Sequence, residues 1–215
     1  MNQLLTTRKE ACMSTVVLIS GPRGAGKTTY CKKIAAHYPD IQHMSLDETM
    51  TRIFGFPWPD TDTGAWSVAY DVMMEEIKTA VLTDSSALIL ADMWNGSCID
   101  REKLISRFLK MGADRVVVWY FITPLDTARH WFLEREYQYD DRRAAHADEW
   151  RRKMRSYALD HCRYHHNAHD LRENAISVRH PDWNVSWAPV ITVPVAMIDP
   201  TQLVLPAMPL PIPFV

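Results

Sequence analysis

The sequence predicts a doubly wound α/β fold: a mostly parallel five-stranded sheet with helices on both faces and a helical lid. Three observations carry that expectation. Short β-branched apolar runs alternate with longer, polar-faced segments of helical length. The runs are almost continuously apolar, as strands covered on both faces are. The first of them ends in "GPRGAGKTT", a glycine-rich turn opening onto a helical segment. The 215 residues, 47% hydrophobic and 23% charged, suit one globular domain with a sizeable core.

The elements follow in order. Residues 1–13 are polar, lack a signal-peptide core and read as a flexible arm. "STVVLIS" (14–20) is a buried parallel strand ended by Gly21. A helix runs from Lys27 to about His37, stopped near Pro39, and Ile41 to Leu46 form a second, weaker strand. "FGFPWPDTDTG" (54–64) has turn chemistry and reads as a loop. Thr63 is the expected cap of a helix reaching about Leu82, with Val68, Val72, Met73, Ile77 and Val81 on its apolar face. Ala87 to Met93 form the third strand. Asp100 reads as the N-cap of a helix that closes at Gly112. Arg115 to Ile122 form the clearest strand, and a helix from Pro124 or Leu125 reaches Tyr137. Residues 148–173 read as a further helix. "VITVPVAMI" (190–198) supplies an outer strand, placed at an edge by Pro194, and the proline-rich remainder packs as an extended tail on the body or on a partner.

Charge and cysteine use narrow the function classes. A net charge of −2 gives no global field for nucleic acid or membrane, although a local stripe can suffice for DNA. "RRKMR" (151–155) is either such a stripe or a solvated helix face. Cys12, Cys31, Cys98 and Cys162 are scattered without a CxxC pair, which suggests reduced thiols and a cytoplasmic setting. No apolar stretch approaches the ~20 residues that span a bilayer, so no membrane partner is expected. His161, His165 and His169 share a helical side but have no obvious second element to complete a metal site, and read as polar surface.

The chemistry starts at the glycine-rich turn. Gly21, Gly26, Lys27 and Thr28 match G-x-x-x-x-G-K-[ST] between a strand and a helix, the phosphate loop of a P-loop NTPase. Gly21, Arg23, Gly24, Ala25, Gly26, Lys27, Thr28 and Thr29 are therefore the expected nucleotide-binding residues. Glycines let the backbone wrap so that its N–H groups meet phosphate oxygens. Lys27 reaches the β- and γ-phosphates, and the Thr28 hydroxyl is placed to ligate Mg²⁺. ATP and Mg²⁺ are the expected cofactors.

Holding a nucleoside triphosphate leaves three uses open. A GTPase of the usual kind needs NKxD and DxxG, and neither is present; Asp92 is followed by Met93, Trp94, Asn95 and Gly96. An ATPase motor commonly sets a Glu beside the strand-end Asp, where this chain has Met93. A small phosphotransferase remains. Asp47, after the second strand, is the candidate general base, or with Glu48 a helix cap. Asp92 is the candidate metal carboxylate or acceptor-orienting group, or a strand-end turn residue. Trp58, Trp66, Trp94, Phe54 and Phe56 lie near expected strand ends and either stack on a planar acceptor or pack locally.

The phosphate loop, Asp47, Asp92 and "TPLDTARHWFLERE" after the fourth strand resemble the small P-loop kinases over about residues 14–145. That group includes polynucleotide 5′-kinases, zeta-type toxins, chloramphenicol phosphotransferase, gluconate kinases and phage enzymes that phosphorylate 5-hydroxymethyluracil in DNA. The resemblance implies a kinase domain over residues 14–186 and a lid arginine pair R-x-x-x-R. Alignment on Pro124 puts the second arginine at Arg135 and the first on Trp131, a departure; Arg129, Arg142 or Arg143 could substitute. Polynucleotide kinases carry an acceptor-binding arginine three residues after the base; here that residue is Met50, with Arg52 shifted nearby. The expected acceptor residues are Asp92, Arg52, Trp58, Trp94 and Arg129. The expected activity is transfer from ATP to a hydroxyl of a nucleotide or DNA acceptor. A small-metabolite or antibiotic-type phosphotransferase, or a nucleotide-dependent binding module, are the alternatives.

Overall fold

The computed structural model describes residues 13–55, 64–121, 123–137, 158–159 and 190–193. Five strands, β1 (Thr15–Ser20), β2 (Ile41–Ser45), β3 (Leu88–Asp92), β4 (Arg115–Phe121) and β5 (Val190–Val193), form one sheet in the order β2-β3-β1-β4-β5. Every described pairing is parallel. Between the strands run α1 (Lys27–His37), α2 (Leu46–Phe54), α3 (Ala65–Thr83), α4 (Cys98–Lys110) and α5 (Leu125–Tyr137). This is the expected P-loop type of α/β fold, with β5 at the edge.

Strand alternation divides the core into two layers. Val16, Leu18, Ile89, Ala91, Val116 and Val118 face one way, onto Met73, Met74 and Ile77 of α3 and Leu104, Ile105 and Phe108 of α4. Val17, Ile19, Leu90, Val117, Trp119 and Phe121 face the other, onto Tyr30, Cys31 and Ile34 of α1. Trp131 of α5 packs against that second cluster. The residue where a lid arginine was expected is thus spent on the core, because its position on α5 turns toward the sheet. Each large apolar side chain buried this way contributes roughly 1.5–3 kcal/mol.

Several boundaries differ from expectation for local physical reasons. Residues 46–54 form a helix that begins directly at the end of β2; Phe54 is its last residue, and Gly55, at φ +82°, ends it. Asp47 is therefore inside the first turn of α2, and Ser45, not Asp47 or Glu48, is the N-cap. Gly64, not Thr63, is the N-cap of α3. The cap of α4 is Ser97, not Asp100: Ser97 Oγ accepts from the Asp100 backbone N–H at 3.1 Å and donates to Asp100 Oδ2 at 2.6 Å. A hydroxyl with an acid three residues on lets cap and acid satisfy each other, starting the helix earlier. Residues 56–63, 148–157, 160–173 and the tail after 193 lie outside the described residues, and so do Trp58, Arg142, Arg143, the basic stripe and the histidine run. No helix among the described residues is long and apolar enough to cross a membrane.

Candidate active site

Parallel strands bring their carboxyl ends to one edge, where ligands gather in this type of sheet. The register is specific: Asp92 of β3 pairs with Ile19 of β1 and Ser45 of β2. The glycine-rich loop after β1, the first turn of α2 and the turn after Asp92 therefore share that edge.

The glycine-rich loop runs directly into the start of α1. Gly24 and Gly26 take φ +71° and +83°, a region that favours glycine. Gly26 is the N-cap of α1 with no side-chain cap, and the first turn of α1 carries no acid. The positive end of the helix dipole therefore faces the loop without a capping side chain or a first-turn acid to offset it, which suits an anion. Lys27 Nζ donates to the carbonyls of Gly21 and Pro22, 2.9 Å each, which holds the ammonium over the loop. Thr123 Oγ1, buried two residues past β4, donates to the Ala25 carbonyl at 3.0 Å and ties the loop to the segment after that strand.

Thr28 Oγ1 donates to Asp92 Oδ2 at 2.6 Å. Burial pushes the Asp92 carboxyl up, but His43, Lys27 and Thr28 outweigh it and hold the group below the ordinary carboxylate value. An ionised, buried carboxylate next to a helix-start hydroxyl is the hard-oxygen pair that suits Mg²⁺. Cys31 lies beneath; burial, then the Asp92 charge, pushes its thiol up.

Sequence reasoning missed the frame around this pair. Buried Asn95 donates through Nδ2 to the carbonyls of Ile19 (2.7 Å) and Met93 (2.9 Å). Arg101, fully buried in the first turn of α4, donates to the Asn95 carbonyl at 2.9 Å. Together they fix the turn after β3 against β1. Nothing in the residue types marks Asn95 or Arg101 for this. His43 is different: it alternates with Ile41 and Ser45 along β2 and so shares their face of the strand.

Other expected residues sit as follows. Trp94 is 55% exposed, its ring over Gly96, with the Arg23 guanidinium 5.9 Å from the ring centroid. Arg52, at the end of α2, is engaged with Glu76 of α3 at 2.6 Å. Glu76 lines a cleft between β2 and α3 that is separate from the phosphate loop. Arg129 is exposed on α5. Arg135 is ten residues on from Leu125, about 15 Å along the helix axis, and its side chain lies outside the described residues. Thr29 is exposed. Met93 is buried in the layer facing α3 and α4.

Loop, lysine and a buried carboxylate bonded to Thr28 on a parallel α/β sheet define a P-loop nucleotide-binding domain. More particularly, the chain belongs to the AAA domain family, whose pattern matches residues 16–159. A search of curated protein sequences gives no match. Among solved structures, a candidate kinase from Chloroflexus aurantiacus is similar at a TM-score of 0.57 and 14% identity, over 90% of each chain. A chain of the Pnkp1/Rnl/Hen1 RNA repair complex is similar at a TM-score of 0.53 and 11% identity, over 61% of this chain. That match spans 40% of the repair-complex chain. At these identities the likeness is one of fold alone.

Proposed function

We propose that the chain is an ATP-dependent kinase that transfers the γ-phosphate to a hydroxyl of a nucleotide or nucleic-acid acceptor, with 5-hydroxymethyluracil in phage DNA as a specific candidate. The observation that carries this reading is the Thr28–Asp92 pair beneath the loop, with Asp47 two residues beyond the β2 residue that pairs with Asp92. A buried Met93 beside Asp92 leaves an apolar side chain where a water-activating acid would serve hydrolysis.

The residues divide the work. Loop amides and Lys27 bind and orient the phosphates. Thr28 and Asp92 would hold Mg²⁺, which supplies charge neutralisation on the phosphate oxygens when bound. Asp47 accepts the acceptor hydroxyl proton as the oxygen forms its bond to the γ-phosphorus. The bond from that phosphorus to the bridging oxygen breaks, and its electron pair leaves with ADP. Arg129 or Arg135 serves as the lid cation. Trp94, with Arg23 on its face, offers a platform for a planar acceptor. A fold neighbour drawn from an RNA repair complex agrees with such an acceptor.

The test is a labelled-ATP transfer screen over nucleosides, hydroxymethylated DNA, 5′-hydroxyl oligonucleotides and small metabolites. The expected result is label on a nucleotide or nucleic acid. Asp47→Asn should retain ATP binding and lose roughly 10²–10⁴-fold in transfer. Label confined to small metabolites would overturn the acceptor class; ATP bound with nothing labelled would overturn the kinase reading.

A further inference from the structure

His43 stands directly behind Asp92. Its side chain is 6% exposed, and it lies between two carboxylates. Nε2 is 3.8 Å from Asp92 Oδ2, and Nδ1 is 3.7 Å from Glu48 Oε2. Both separations exceed a hydrogen bond, which closes by about 3.2 Å. The buried Nε2 has no hydrogen-bond partner among the described residues. Buried polar atoms in native proteins are almost always satisfied, so an orphan aimed at a metal carboxylate marks a contact completed in the ligand-bound state. Glu48 in turn meets Lys32 of α1 at 2.7 Å. Lys32, Glu48, His43, Asp92 and Thr28 thus form a chain running from the surface of α1 to the metal position.

The two contacts on Asp92 are one-sided. Thr28 and His43 both approach Oδ2. Thr28 alone fixes one oxygen by one bond, about which the carboxylate can still swing. A second donor on the same oxygen removes that freedom.

We infer that His43 is a positioning residue that fixes the orientation of the Asp92 carboxylate for metal-bound nucleotide, and that Glu48 holds His43 in place. Glu48 sits beside Asp47 in the first turn of α2, so the chain also ties the metal carboxylate to the helix that carries the candidate base. The inference rests on Thr28 and Asp92 as the metal pair and not on the identity of the acceptor.

The experiment measures ATP binding by calorimetry over a magnesium titration, using the full chain and the variants His43→Leu, His43→Gln and Glu48→Ala. In the wild type, ATP affinity rises with magnesium. His43→Leu should keep the metal-free ATP affinity and need roughly 10-fold more magnesium or beyond for half the effect. His43→Gln carries an amide nitrogen of similar reach and should recover most of the loss. Glu48→Ala should shift the requirement in the same direction by less. An unchanged magnesium requirement in His43→Leu overturns the inference. So does an equal loss of metal-free and metal-dependent affinity that glutamine does not rescue, since that marks His43 as packing alone. If circular dichroism shows His43→Leu unfolded, an unshifted Glu48→Ala overturns it instead. A wild type whose ATP affinity ignores magnesium overturns the metal pair itself, a different outcome from wild-type dependence shared unchanged by the variants.

Discussion

Replacing Thr28 with valine tests the pair on which the site is built. Valine keeps the branched shape and removes the hydroxyl that donates to Asp92 Oδ2 at 2.6 Å. The acceptor is ionised and only 8% exposed, so water cannot freely take the place of the donor. A hydrogen bond to a charged group contributes about 1.5–3 kcal/mol, and a neutral one about 1 kcal/mol. Thr28→Val should therefore lower the unfolding free energy by about 2 kcal/mol, a change of roughly 30-fold in the folded-to-unfolded ratio. In an Asp92→Asn background the same substitution should cost about 1 kcal/mol. The double-mutant cycle then yields a coupling energy of about 1 kcal/mol. The assay is urea unfolding followed by tryptophan fluorescence, with buried Trp119 as one reporter, extrapolated linearly to water. Effects that add within about 0.3–0.5 kcal/mol would refute a formed Thr28–Asp92 bond in the free protein. With ATP and magnesium at 100 times Kd the wild type should gain about 2.7 kcal/mol, and Thr28→Val less.

Three further outcomes are expected. Gly21→Ala adds a Cβ 2.9 Å from Phe121 Cβ and 3.1 Å from the Phe121 carbonyl oxygen, at φ +149°. Overpacking of this kind costs about 1–3 kcal/mol. A domain of this size then loses on the order of 2–10 °C in Tm by calorimetry; an unchanged Tm contradicts the close approach of loop and β4. Cys31 is buried and its thiol is pushed up, so the reactive thiolate is scarce at neutral pH. Mass spectrometry of iodoacetamide-treated protein should find Cys31 modified only when the protein is unfolded. Asp92 has its folded value below the ordinary 3.8, so its ionised contacts stabilise above that pH and are lost as pH falls through the folded value. The stability gap between wild type and Asp92→Asn should be flat near neutrality and narrow below about pH 4, read from urea melts across pH; a gap that widens in acid reverses the sign of the argument.

The strands and the phosphate loop were legible in the sequence because each is specified locally. Runs such as Val16 to Ile19 and Val116 to Phe121 cannot be solvated on either side, and G-x-x-x-x-G-K-[ST] encodes its own backbone path. The helix at 46–54 is anticipated in the sequence only as one that Asp47 or Glu48 would cap; its start at Leu46 is hidden because it follows β2 without a turn residue. The start of α4 lies earlier than Asp100 alone suggests, because Ser97 and Asp100 act as a reciprocal pair. Asn95, Arg101 and Thr123 were invisible for a deeper reason. Each is polar by type and buried by context; Asn95 and Thr123 satisfy carbonyls far away in the chain, and Arg101 satisfies that of Asn95 itself. His43 carried a readable signal, a polar residue on the Ile41–Ser45 face of a strand that ends at the ligand edge.

The same alternation explains why the sequence of the third strand bears on reaction type. Asp92 and Met93 are neighbours in the chain but point to opposite layers. Asp92 faces the α1 side, where Thr28, Lys27 and His43 converge, while Met93 is packed with Leu104, Ile105 and Phe108. An acid at position 93 would have to be buried in that apolar layer or unpack it to reach a water near the phosphates, and burying an unpaired charge there is strongly unfavourable. The geometry therefore favours a base delivered from another element over one delivered by β3. The first turn of α2 carries Asp47, the base proposed above, and Glu48, which lies 3.7 Å from His43. A base on a short helix joined directly to its strand is held by backbone hydrogen bonds, such as the one Gly55 donates to the Thr51 carbonyl at 2.8 Å, and not by a loop. Under the proposed kinase reading, rigid placement of that kind suits proton removal from an acceptor hydroxyl.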